Sequence, residues 1–144
     1  MKALFTLLAG LAVTAAVAQT KPAVTTKPVS KAATAAVSVK SPGQIVYEQN
    51  CLTCHQANGS GVPNLNPPLR NTDWVLGDKN RLINVLLKGL QGQEIEGEPY
   101  DNVMPAHDFL TDQQLADVLT YIRSSFGNKA SAITPDDVKA QRGK

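Results

Sequence analysis

Cys51-Leu52-Thr53-Cys54-His55 is the stretch on which the reading of this chain turns, and its surroundings decide what the five residues do. Two thiols three residues apart, followed at once by an imidazole, suit several chemistries. A disulfide over so short a loop gives no reason for the histidine. A thioredoxin-type redox pair calls for a βαβ pattern, and the sequence has none. A structural zinc site wants four ligands, and beyond these three only His107 remains, since the chain has two cysteines and two histidines in all.

Outward from the motif, helices alternate with long loops. Ser41-Pro42 reads as a cap and first-turn proline opening a helix that carries Ile45, Val46 and Tyr47 toward Cys51. After it, the stretch from Gly59 to Gly77, with Pro63, Pro67 and Pro68, predicts neither helix nor sheet. Asp78 caps a helix with Leu82, Ile83, Leu86, Leu87 and Leu90 on one stripe. A polar loop, QGQEIEGEPYDNVMPAHDF, covers residues 91–109. Thr111 and Gln114 form a capping box for the strongest helix, striped by Leu115, Val118, Leu119 and Ile122 and stopped by Gly127. Thr134-Pro135-Asp136-Asp137 opens a short last helix. No strand of useful length is expected. Loops this long in a small domain argue against the assignment unless they wrap something other than polypeptide.

The N-terminal part is of another kind. Lys2, the apolar run Ala3 to Val17 and the Ala16-Val17-Ala18 cleavage pattern read as a signal peptide over 1–18. An uncleaved anchor is the competing reading, but the run is short for a membrane span, which needs about twenty apolar residues. Residues 19–40 hold four lysines, no acid and no aromatic, the composition of a flexible tether. Residues 41–144 then form the folded domain. The whole chain is 42% hydrophobic and 18% charged with a net charge of +2, too weak a bias for nucleic-acid binding. That small positive charge hides a basic tail on a domain whose nine Lys/Arg face twelve Asp/Glu. Outside the signal segment, Phe109, Phe126, Trp74 and three tyrosines are all the aromatics available to a core.

Export, helices, long loops and a shortage of core volume all select one reading of the motif. C-x-x-C-H in an exported protein is the c-type haem attachment signal. Cys51 and Cys54, one helical turn apart, reach both vinyl groups on one porphyrin edge, and His55 lies beneath the ring with its imidazole toward the iron. The other ring nitrogen of His55 needs an acceptor, which a carbonyl of the proline loop can supply. For the sixth ligand, Met104 is the only methionine left once the signal is removed, and it sits in a polar loop before a stiffening proline. Met–His ligation is the electron-transfer arrangement. His107 is the rival ligand. Flanked by Ala106 and Asp108, it reads as a surface residue.

These features together resemble the small class I c-type cytochromes over roughly residues 41–144. Gly43 and Tyr47 match the point where the family's first helix crosses its last, with Val118 and Tyr121 opposite. Pro63 and Pro67-Pro68-Leu69 look like the loop on the histidine side of the haem. Gly97-x-x-Tyr100-x-x-x-Met104-Pro105, then Asp112, Ala116, Val118, Tyr121, Ile122 and Arg123, is similar to the methionine loop and closing helix of bacterial domains associated with periplasmic dehydrogenases, nitrite reductases and oxidases. The Gly127-Asn128-x-Ala130 tail fits that subgroup. The resemblance implies an all-α fold of three to five helices around one covalent haem c, with His55 and Met104 on the iron.

The function expected is one-electron transport in the periplasm or another extracytoplasmic space. Redox proteins would be the partners, namely a dehydrogenase, reductase or terminal oxidase, with no small-molecule substrate. The protein would be a monomer or a loosely associated subunit and not an enzyme. The alternative is a small peroxidase-like haem protein with an exchangeable sixth position. Leu69, Leu82, Ile83 and Leu86 are expected against the haem. Trp74 either bonds a propionate or packs, and Arg70 either pairs with a propionate or is solvated. Glu94, Glu96, Glu98, Asp101 and Asp108 crowd the Met104 loop, as a solvated rim or as a docking surface for a basic partner.

Overall fold

The computed structural model describes residues 39–144, so the expected signal peptide and most of the expected tether lie outside the described residues. Four helices of eight residues or more make the frame: α1 (Pro42–Asn50), α4 (Lys79–Lys88), α5 (Asp112–Ser124) and α6 (Pro135–Arg142). Two single turns, α2 (Leu52–His55) and α3 (Asp73–Leu76), and a two-residue antiparallel pair, β1 (Glu94–Ile95) with β2 (Glu98–Pro99), complete it. The all-α class holds, with two short turns beyond the three to five helices expected.

Local chemistry sets the starts. Ser41, Thr72, Asp78, Thr111 and Thr134 each accept a hydrogen bond from a first-turn N–H through the side chain, and Thr111 and Thr134 belong to full capping boxes. The turn α3 corrects the expectation that residues 59–77 hold no helix. The prolines end at Pro68, and Thr72 caps the turn that begins at Asp73. Lys40, the last residue of the expected tether, pairs with Glu48 of α1 at 2.6 Å.

α1 and α5 cross at Gly43, as the resemblance implied. A Cβ on Gly43 would lie 2.1 Å from the Asp117 carbonyl oxygen and 2.7 Å from Tyr121 Cβ, so only glycine lets the two backbones approach so closely. Val46 and Tyr47 follow on the same face at helical spacing. Ile45, the third apolar residue read on this helix, falls on the other side and is exposed. Beside the crossing, the rings of Tyr47, Tyr121 and Phe126 meet pairwise at 5.3–5.7 Å, and the Tyr47 hydroxyl donates to the Gln56 carbonyl at 2.6 Å.

The rest of the core is aliphatic: Leu82, Ile83 and Leu86 of α4 pack with Leu115, Val118, Leu119 and Ile122 of α5 and Val138 of α6. Phe109, expected in it, is 70% exposed. Two buried polar side chains bind the loops to this core. Asn128 accepts from the Asn71 N–H at 2.8 Å and donates to the carbonyls of Leu69 and Ile122 at 2.7 and 2.8 Å. Arg123 donates to the carbonyls of Val75, Gly77 and Ser131, joining α3 to the chain after α5.

Alanine at position 43 forces the α1–α5 backbones apart, and overpacking of this kind costs about 3 kcal/mol. Denaturant unfolding of Gly43→Ala should show that loss, whereas Gly143→Ala, with nothing within 4 Å of the added carbon, should unfold like the parent. Equal midpoints for both variants and the parent would contradict the close crossing.

Candidate haem-binding cleft

The C-x-x-C-H segment forms one helical turn in which the Cys54 and His55 N–H groups both donate to the Cys51 carbonyl, at 3.2 and 2.9 Å. The turn presents both sulfurs beside the cleft and buries the imidazole of His55. His55 Nδ1 lies 3.0 Å from the Pro67 carbonyl oxygen. A carbonyl can only accept, so Nδ1 carries the proton and the Nε2 lone pair is free for a metal. Burial also pushes the His55 pKa down, which favours the neutral ring. The proline loop thus supplies the acceptor expected of it. Burial and the nearby Cys54 push the Cys51 thiol up to about 11, so in the unmodified chain it is a neutral thiol at neutral pH.

The loop delivering Pro67 folds onto itself. Val62 and Asn66 exchange backbone bonds, and Gly61 donates to the His55 carbonyl at 3.1 Å. Gly61 has φ +65°, and a Cβ there would stand 2.2 Å from the Asn66 carbonyl oxygen. A side chain at this position would displace the segment that meets the histidine.

Met104 is held from the other direction. Its N–H and carbonyl bond to the carbonyl and N–H of Leu90 at 2.9 and 3.0 Å, just beyond α4. Gly89, at φ +78°, makes room for this, because its Cβ would lie 2.5 Å from the Met104 carbonyl oxygen. Three residues on, His107 donates its N–H to the Leu86 carbonyl at 2.7 Å.

Cys51, His55, Met104 and His107 together line two neighbouring clefts. The first runs between α4 and α5 against Leu69, Leu82, Leu86, Val118, Leu119 and Ile122, and the second opens past Cys54, Asn102, Val103 and Pro105. The walls are apolar, the donors are imidazole nitrogen and thioether sulfur, and two thiols stand at the rim. That set fits haem c.

Sequence reasoning located Cys51, Cys54, His55 and Met104, and the fold gathers all four. It misplaced His107, which is half-buried in the cleft wall because Leu86 draws its backbone inward. Leu69, Leu82 and Leu86 line the cleft, while Ile83 is buried outside its lining. The sequence marks Val118, Leu119 and Ile122 as the core stripe of α5 and not as cleft residues, yet all three line the cleft. Trp74 is not among the lining residues and carries the Arg81 guanidinium 4.6 Å from its ring centre, and Arg70 is exposed. The acids Glu94, Glu96, Glu98, Asp101 and Asp108 are exposed, and Glu96 accepts from the Asp73 N–H at 3.0 Å.

The sequence profile of the cytochrome c family matches residues 41–126. The chain belongs to the cytochrome c family. It is 37% identical over 115 residues to a cytochrome c-552 of Thermus thermophilus, an alignment covering 73% of this chain and 87% of that protein. It is also 37% identical over 107 residues to the gluconate 2-dehydrogenase cytochrome c subunit of Pantoea cypripedii, and 27% over 89 residues to the cbb3-type cytochrome c oxidase subunit FixP of Azorhizobium caulinodans. Those alignments cover 69% and 61% of this chain but only 24% and 30% of the two subunits. As a class I monohaem cytochrome, the protein carries covalently bound haem c and transfers electrons. It takes its place among proteins that work with redox partners.

Haem held in the cleft that α4 and α5 line would be part of the core. Expressed as Cys51→Ala/Cys54→Ala, the chain should lose most of its far-UV circular dichroism helix signal, because side chains alone do not fill the space between those helices. Native helix content in the haem-free variant would contradict this.

Proposed function

We propose that Cys51 and Cys54 attach the haem through thioether bonds, that His55 Nε2 and Met104 Sδ are its axial ligands, and that the protein is an exported electron carrier without catalytic activity. The observation that carries this reading is the convergence of His55 and Met104 on one apolar cleft, each held by hydrogen bonds to main-chain groups. When bound, the haem supplies a one-electron iron couple. The chain does the remaining work. Pro67 keeps the proton on Nδ1 of His55, Leu90 and Gly89 hold the methionine loop in register, and the α4 and α5 leucines exclude water. Methionine sulfur favours ferrous iron and raises the potential.

Export is supported by the signal-like residues 1–18. Among the described residues no helix is long and apolar enough to cross a membrane. Of the partner classes, dehydrogenase and terminal oxidase are supported by the names of relatives, and a reductase rests on the sequence resemblance alone. Electrons would pass at the open side of the cleft, where Cys54 and Val103 are exposed. The peroxidase-like alternative needs an exchangeable sixth position, whereas a methionine whose N–H and carbonyl both bond to Leu90 at the cleft supports a filled one.

The test is a potentiometric titration of the holoprotein and of Met104→Ala. The parent should show a single one-electron step and should not bind carbon monoxide when reduced. Met104→Ala should keep its haem while its potential falls by on the order of 0.2 V, within the roughly 0.8 V that axial ligands span. An unchanged potential would remove Met104 from the iron. Rapid carbon monoxide binding by the parent would favour the peroxidase-like alternative.

A further inference from the structure

We propose that His107 is a reserve axial ligand, taking the sixth coordination position when the Met104 sulfur is lost and keeping the iron closed to exogenous ligands. This rests on the reading of Met104 as the resident ligand.

Three observations carry it. First, His107 is in the wall of both clefts, alongside Met104 and His55. Second, its ring is prepared as that of His55 is. His107 Nδ1 lies 2.9 Å from the Pro105 carbonyl oxygen, so Nδ1 donates and Nε2 keeps its lone pair. In each imidazole a proline carbonyl, twelve residues away for His55 and two for His107, selects the tautomer suited to a metal. Third, the two candidate ligands have separate anchors. Met104 is tied to Leu90, whereas His107 is tied to the Leu86 carbonyl one turn earlier on α4. Losing the methionine side chain leaves the His107 anchor in place. Three residues span at most about 11 Å, so the exchange needs only a local shift of the loop.

The exchange matters chemically because methionine is oxidisable. A peroxide that transfers one oxygen atom to the Met104 sulfur leaves as water, or as an alcohol from an alkyl peroxide, and the thioether becomes a sulfoxide. Without a replacement the iron would be open to a second peroxide, and the carrier would become a peroxidase. An imidazole already in the cleft wall closes that route. Ligand exchange itself moves no electrons: the iron–sulfur bond breaks and a bond from the Nε2 lone pair forms.

Full-length holoproteins of Met104→Ala and Met104→Ala/His107→Ala provide the test, with Met104→Ala/His107→Gln as a second form that retains side-chain volume. Spin state is read from the oxidised electron paramagnetic resonance spectrum, and access to the iron from carbon monoxide binding to the reduced protein. Met104→Ala should be low-spin, and both double variants high-spin. Carbon monoxide affinity should be about tenfold or more lower in Met104→Ala than in the double variants, since only the fraction with His107 detached is competent to bind. Added imidazole should return the double variants to low spin. High-spin Met104→Ala, with carbon monoxide affinity equal to that of the double variants, would overturn the proposal. A reduction potential unchanged in Met104→Ala would instead sink the reading of Met104 as resident ligand, and the reserve role with it.

Discussion

The hydrogen bond from His55 Nδ1 to the Pro67 carbonyl, 3.0 Å long, links the chemistry of this protein to its fold. For the imidazole to present Nε2 to a metal, a carbonyl far along the chain must stand beside its other nitrogen. The proline loop puts it there by closing on itself at Gly61 and by hanging from Asn128, whose amide grips Leu69 and Ile122 together. Ile122 belongs to α5, which is set against α1 at Gly43, and α1 leads directly into the C-x-x-C-H turn. The chain of contacts returns to its starting residue. A disturbance at Gly43, Gly61 or Asn128 therefore reaches the ligand set without touching it.

The methionine side is built on a different principle. Among the described residues no buried side chain hydrogen-bonds to that loop; Asn66 and Arg142 bond it in exposed hydrogen bonds. Backbone bonds to Leu90 and Leu86 lay it along the end of α4, and neighbouring Val103, Pro105 and Asp108 are exposed. The histidine side is packed and polar-satisfied, while the methionine side depends on a few backbone bonds near solvent. Stretches with fewer buried contacts open at lower free energy. The proposed ligand exchange belongs on that side.

Much of this is legible in the sequence because it is local. Caps at Ser41, Asp78, Thr111 and Thr134 act within four residues, and the C-x-x-C-H spacing is one helical turn. The unusual lengths of the two loops also point to a non-polypeptide core. What escapes depends on residues distant in the chain. The turn at 73–76 rests on Thr72 and on the Arg123 bonds to Val75 and Gly77, some forty-eight and forty-six positions away. His107 looks like a surface residue between Ala106 and Asp108, and the Leu86 carbonyl turns it inward. Asn128 stands out in the sequence only as part of a tail pattern, although its side chain joins three segments. Phe109, expected inside on hydrophobicity alone, stands outside, with its ring centre 5.7 Å from that of His107.

In the proposed ligation Met104 would lie over one face of the haem and His55 over the other. Nuclear magnetic resonance of the reduced protein, labelled at methionine methyl carbons, tests this directly, since the chain has only two methionines. One methyl resonance should be shifted far upfield by the porphyrin ring current and be absent from Met104→Ala. Finding every methionine methyl at its ordinary position would contradict that ligation.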